Sequence, residues 1–172
     1  MSISDRNNRN FGGVDRSSAR LSAVQALYEI DMTGVSADPV LLEFLKNRWN
    51  FQPEFVEDDE ENYPNLAPPN HNLLKKIIRG VYEKKNDIDQ IIKPNLSSDW
   101  TVERLEVILR AILRAGTYEL LTFAEVPAKV VINEYVNVAK AFFNDNKPSL
   151  VNGVLDKISR VLRKAEMENL DS

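Results

Sequence analysis

Four arginines, Arg6, Arg9, Arg16 and Arg20, stand within the first twenty residues against two acids, Asp5 and Asp15. Guanidinium groups on a polar arm that runs into a helix can neutralise phosphates, and such arms commonly order only on their target. A solubilising tail has the same composition, so charge alone leaves both readings open. Tyr118 and Phe142 are spaced to be core residues of their helices. Catalytic chemistry is sparse. The single histidine, His71, follows a proline-rich stretch with no cysteine or second histidine to make it a base or a ligand, and it reads as an exposed residue at a helix start. The run Glu57, Asp58, Asp59, Glu60, Glu61 lacks the alternation and the glycine of a calcium loop and reads as solvated charge. With no phosphate-cradling glycine loop, no G-x-S-x-G and no H-E-x-x-H, neither an enzyme nor a bound cofactor or metal is expected.

The absence of cysteine removes disulfides, thiolate nucleophiles and cysteine-based metal sites together. At 172 residues and 43% apolar content, one substantial core is the default. The N-terminal MSISDRNNRNFGG is polar, and no window approaches the roughly 18 apolar residues of a membrane span. A cytoplasmic protein with no membrane partner is expected. The net charge of −4 is misleading for nucleic-acid binding, because Glu54 and Glu57 to Glu61 alone supply six negative charges. A partner feels the local field, and outside that loop the chain is not acidic.

These residues must be positioned by helices, since apolar spacing near 3.6 recurs along the chain and no strand pattern of comparable strength occurs. Ser17 or Ser18 is placed to cap a first helix carrying Leu21, Val24, Leu27, Tyr28 and Ile30, which Gly34 ends. Asp38 and Pro39 open a second helix. Residues 53–70, with four prolines and six acids, read as a loop. A long amphipathic helix follows Asn70 and stops at Pro94, with Gly80 marking a bend or a close neighbour. From Asp99 or Thr101 the next helix is apolar over most of its circumference, which places it at the centre of a bundle. Pro127 and Pro148 open the last two. Gly153, inside the final one, implies a close helix approach, and Asn133 and Glu134 stand where they can tie helices together. The predicted fold is all-α, a helical bundle. Residues 1–16 form a basic arm, residues 17–164 one helical domain and residues 165–172 a C-terminal tail.

Four segments carry a specific resemblance: ARLSAVQALYEID (19–31), ILRAGTYEL (112–120), EVPAKVVINEYVNVAKAF (125–142) and LVNGVLDKISRVLR (150–163). In this order they resemble the NusB family of bacterial transcription antitermination factors, which implies an all-α bundle of two packed sub-bundles. The resemblance implies a factor that binds boxA-type single-stranded RNA together with ribosomal protein NusE and promotes read-through by RNA polymerase, notably in ribosomal RNA operons. The positions that match the family's RNA surface are Arg16, Arg20, Tyr28, Phe142, Asn146, Lys147 and Leu150. On the segment from Trp100 to Arg110, the polar residues Glu103, Arg104 and Arg110 are the expected partner surface. This chain has fewer arginines around Arg16, and Leu150 where the family often has phenylalanine, so weaker RNA binding without the partner is implied.

Two other functions fit a helical chain of this kind. One is an RNA-binding subunit of a methyltransferase-type assembly, whose catalytic domain would have to be a separate chain. The other is a structural homodimer that buries the same apolar surface. Deleting residues 53–69 is expected to leave the thermal transition and helical content nearly unchanged, because loop length adds little closure entropy when the ends are close. A melt displaced by many degrees would show that the segment packs in the core.

Overall fold

A computed structural model describes residues 13–46 and 68–172. Seven α-helices occur among them: α1 (Val14–Thr33), α2 (Ala37–Lys46), α3 (His71–Ile92), α4 (Val107–Thr122), α5 (Ala128–Phe142), α6 (Lys147–Leu162) and α7 (Lys164–Asp171). No strand occurs among the described residues. Most of the expected arm and of the expected acidic loop lie outside them. No described helix is long and apolar enough to cross a membrane.

The boundaries follow from local chemistry. Gly34 ends α1 at φ 71°, the left-handed region, and its N–H donates to Ile30 O. The Asn70 side chain accepts the Leu73 N–H at 3.0 Å and so caps α3. Pro94 converts the end of α3 into the single 3-10 turn Lys93–Asn95. α1 starts earlier than the serines suggest, at Val14, because Gly13 O accepts the N–H groups of Arg16 and Ser17 without a side-chain cap. The helix expected from Asp99 or Thr101 is broken instead. A 3-10 turn at Val102–Arg104 is followed by an extended Leu105, and α4 begins at Val107. That break puts both Val102 and Leu105 into the core.

α4 is the axis of the molecule. Residues 111–120 are all buried, and the helix packs on α1, α3, α5 and α6. α1 to α3 form one sub-bundle against it and α5 and α6 complete the other, as the family resemblance implied. α1 lies between neighbours, and its buried Ser18, Ala19, Ser22, Ala23 and Ala26 let them approach closely. The residues expected as a tail form α7, anchored by buried Met167. Arg163 donates to the carbonyls of Leu120 and Phe123 at 2.8 Å each and of Val126 at 3.0 Å, and also holds Glu166. Glu166 accepts the Ala128 N–H at 2.7 Å. One ion pair thereby satisfies the end of α4 and the start of α5, whose backbone groups have no intrahelical partners.

The two helical glycines behave oppositely. Gly153 is exposed with nothing near its Cα, so the close approach expected there does not exist. At Gly80 the neighbour is real: an added Cβ would fall inside the ring of Tyr118, a buried residue of α4. α3 does not bend at this glycine; its irregular backbone is at Lys84 (φ −104°, ψ 17°). Tyr118 meets Phe123 edge-on at 5.8 Å, so the ring has little room to yield. Gly80→Ala is expected to cost about 1–3 kcal/mol in chemical denaturation. Combined with Tyr118→Ala it should cost less than the sum of the single changes. Strict additivity would show that the two helices do not meet there.

Candidate nucleic-acid interface

The start of α1 is fixed by a buried polar cluster. Arg20, with no accessible surface, makes a bidentate pair with Glu119 of α4, Nε to Oε2 at 2.9 Å and Nη2 to Oε1 at 3.0 Å. Its Nη1 lies 3.3 Å from Glu134 of α5, which also accepts from the Ser17 hydroxyl at 2.7 Å. The Tyr135 hydroxyl donates to the same Glu119 carboxylate. Burial, and then the Glu119 carboxylate, push the Tyr135 phenol well above its ordinary range, so it stays a donor. Arg20 was expected to contact RNA and does not fit that role, since its guanidinium is committed to two carboxylates inside the protein. Arg16, one turn earlier, is half-buried at the edge of the bundle and keeps access to solvent.

This cluster sets the relation of α1 to α5. Arg20 meets Glu119 near the end of α4, while Asp31, near the end of α1, meets Arg110 and Arg114 near its start. α1 therefore runs antiparallel to α4. α5 returns along α4 after a short connection, so α1 and α5 run parallel. At 1.5 Å per residue, Tyr28 lies about 12 Å beyond Arg20, and Phe142 about 12 Å beyond Glu134. Tyr28 continues the stripe of Ser17, the residue that touches α5. The two rings, 41% and 37% exposed, thus stand at equal rise beyond one α1–α5 contact, with Arg16 on its other side. Tyr118, as its spacing implied, is core.

The turn into α6 closes the far end of the seam. Asn146 is exposed, and Leu150 is half-buried against the core. The Lys147 ammonium lies 2.6 Å from Asp145, 3.2 Å from Glu106 and 5.0 Å from the Phe143 ring centroid. The hydrogen bonds it donates to Asp145 and then to Glu106 raise its pKa, so it stays charged, with much of that charge balanced locally.

The expected partner surface divides. Glu103 and Arg104 are exposed beside Trp100, near the end of α1. Arg110 belongs to the interior instead, because Asp31 accepts from it at 2.6 Å and the Val102 and Glu103 carbonyls at 3.4 Å. The same Asp31 holds Arg114, which pairs with Asp89 of α3. Sequence reading missed the Glu119 and Tyr135 partners of Arg20. A signal existed, since a glutamate in a helix apolar all round must find a cation or stay unpaired in the core.

Arg20→Ala should cost about 3–5 kcal/mol, because it leaves Glu119 buried and uncompensated. Replacing the pair together, as Arg20→Met with Glu119→Leu, should cost much less, since no charge is stranded. Denaturation of the three proteins compares the two; equal losses would show that the pair's burial is not what makes Arg20 necessary.

Comparison with known proteins agrees with this architecture. The NusB family model matches residues 17–160. A transcription antitermination protein NusB from Caulobacter vibrioides is 42% identical over 148 residues, covering 86% of this chain and 94% of the relative. One from Rhodospirillum rubrum is 39% identical over 155 residues, covering 86% and 84%. The solved NusB of T. maritima superposes with a TM-score of 0.68 at 30% identity, over 89% of this chain and 96% of that one. A structure of the antitermination factors NusB and NusE with double-stranded RNA, 23% identical with a TM-score of 0.66 over 84% and 96%, shares the fold. The chain belongs to the NusB family, all-helical transcription antitermination factors that act by binding rather than by catalysis.

Proposed function

We propose that the α1–α5 seam holds boxA-type single-stranded RNA, and that the protein works in the cytoplasm with ribosomal protein NusE in an antitermination complex on RNA polymerase. The observation that carries this reading is the seam itself. Two exposed rings, Tyr28 and Phe142, each stand eight residues past the Arg20–Glu134 contact on α1 and α5, with Arg16 before that contact and Asn146, Lys147 and Leu150 beyond Phe142. Unpaired bases stack on such rings while guanidinium groups take the phosphates. Arg6 and Arg9, which precede α1 in the sequence, supply further cations for phosphates. Leu150 offers apolar contact where a ring would stack more strongly, and Lys147 reaches a phosphate by exchanging one carboxylate. Both features favour a protein that binds RNA best with its partner.

NusE is assigned to the end of the bundle where Glu103 and Arg104 flank exposed Trp100. Exposed Met32 and Val35, at the end of α1, extend the apolar part of that surface. An aromatic anchor with a charged rim is the usual form of a protein interface.

Arg16→Ala is expected to weaken boxA binding and to lower the log–log salt slope by about 0.7, the share of one phosphate on a single strand. Tyr28→Ala and Phe142→Ala should each cost about 1–3 kcal/mol of RNA affinity with little salt dependence, as lost stacking does. Reversing Glu103 and Arg104 should impair NusE binding and spare RNA binding. Fluorescence anisotropy with labelled boxA RNA, with and without NusE, reads all of these. Folded Arg16, Tyr28 and Phe142 variants that bind like the parent would remove the seam from the RNA site.

A further inference from the structure

The first three turns of α3 carry a charge pattern that the RNA seam does not use. Lys75, Lys76 and Arg79 are exposed, and no acidic residue occurs from Pro68 to Tyr82. Lys75, Arg79 and Tyr82 follow i, i+4, i+7 and share one face. Tyr82 is 47% exposed, which is unusual for a ring on a helix whose other side supplies the core. Lys76 flanks the stripe and lies 5.7 Å over the ring of Phe123 at the end of α4. Arg79 pairs with Asp38 of α2 at 3.2 Å, and both side chains are more than half exposed. Glu83 borders the face at its far end. An exposed pair of this kind contributes little and exchanges readily for a phosphate.

The position of this face matters as much as its charge. Asn70 donates from its backbone N–H to Asp15 O at 2.9 Å and from its side chain to Asp15 Oδ2 at 3.2 Å. The first turn of α3 is thereby stapled to the first turn of α1, beside Arg16. The stripe begins at Lys75, five residues after this staple, so its first cation lies near the end of the bundle that carries Arg16.

We infer that the Lys75–Arg79–Tyr82 face of α3, with Lys76, is a second RNA track that takes the phosphodiester backbone of nucleotides flanking the segment held on the α1–α5 seam. The inference rests on the seam being the RNA site and extends it around the start of α1. Three cations on an acid-free stretch match a polyanion, and Tyr82 gives one base a sequence-tolerant stacking surface. The track therefore reads length and charge rather than sequence.

The test uses the full chain with NusE and three labelled RNAs: a short boxA strand, and the same strand with an oligouridine extension on its 5′ or its 3′ side. The parent should bind one extended RNA at least several-fold more tightly than the short one, with a steeper salt dependence. K75A/K76A/R79A should abolish that gain and lower the slope on the extended RNA by up to about 2, while short-RNA affinity stays unchanged. K75R/K76R should retain the gain. All substituted side chains are exposed, so helical content and melting temperature should match the parent. If the parent gains nothing from either extension, or the triple variant keeps the gain, the α3 track is wrong and the seam reading stands. If Arg16→Ala and Phe142→Ala leave short-RNA affinity unchanged while the triple variant reduces it, the seam reading is wrong and α3 is itself the primary site. A triple variant that loses NusE binding but keeps every RNA affinity identifies the face as a protein contact and overturns the inference.

Discussion

The contact between Arg20 and Glu119 holds the rest of this structure in register. Two opposite charges without water must be matched closely in geometry, or the desolvation of both is left uncompensated. The match here is bidentate, and a third helix completes it through Glu134 and the Tyr135 hydroxyl. Apolar helix faces tolerate small slides and rotations. A planar guanidinium between two carboxylates does not, because its hydrogen bonds weaken steeply as their angles open. α1, α4 and α5 are thus aligned at one level, and the positions of Tyr28 and Phe142 along the seam follow from that alignment.

The same device recurs at the other positions where helices must keep a fixed relation. Asp31 gathers Arg110 and Arg114, and Arg114 reaches on to Asp89, so the far ends of α1 and α3 are tied to the start of α4. Arg163 and Glu166 tie α7 to the connection between α4 and α5. In each case an arginine spends most of its donors inside the protein. Among the cations that stay at the rims are Arg16 at the root of the seam and Lys75, Lys76 and Arg79 on α3. An acidic protein can therefore present basic surface where a strand would run, because net charge is a sum and binding is local.

Much of this was legible in the chain. Periodicity near 3.6 located six of the seven helices, and Gly34, Asn70, Pro94, Pro127 and Pro148 marked ends that the structure keeps within a residue or two. The apolar circumference of the stretch after Asp99 or Thr101 marked the central helix, although its start was placed ahead of the break at Val102–Leu105. The four quoted segments were enough for the family. Helix formation depends on residues three and four apart, and capping depends on one residue at each end, so both are written locally.

Tertiary structure decided the fate of individual side chains. Arg16 and Arg20 are the same residue type one turn apart on one face of α1, yet one stays at the rim and the other is walled in by α4 and α5. Gly80 and Gly153 both lie inside helices, but only Gly80 receives a neighbour's ring. Arg110 belongs to an ion-pair network rather than to the exposed surface with Glu103 and Arg104, because Asp31, 79 residues away in sequence, comes to rest beside it. Burial of a charge depends on which distant element lands against it. That depends on how whole helices pack, whereas the sequence by itself determined the helices, their order and the family to which they belong.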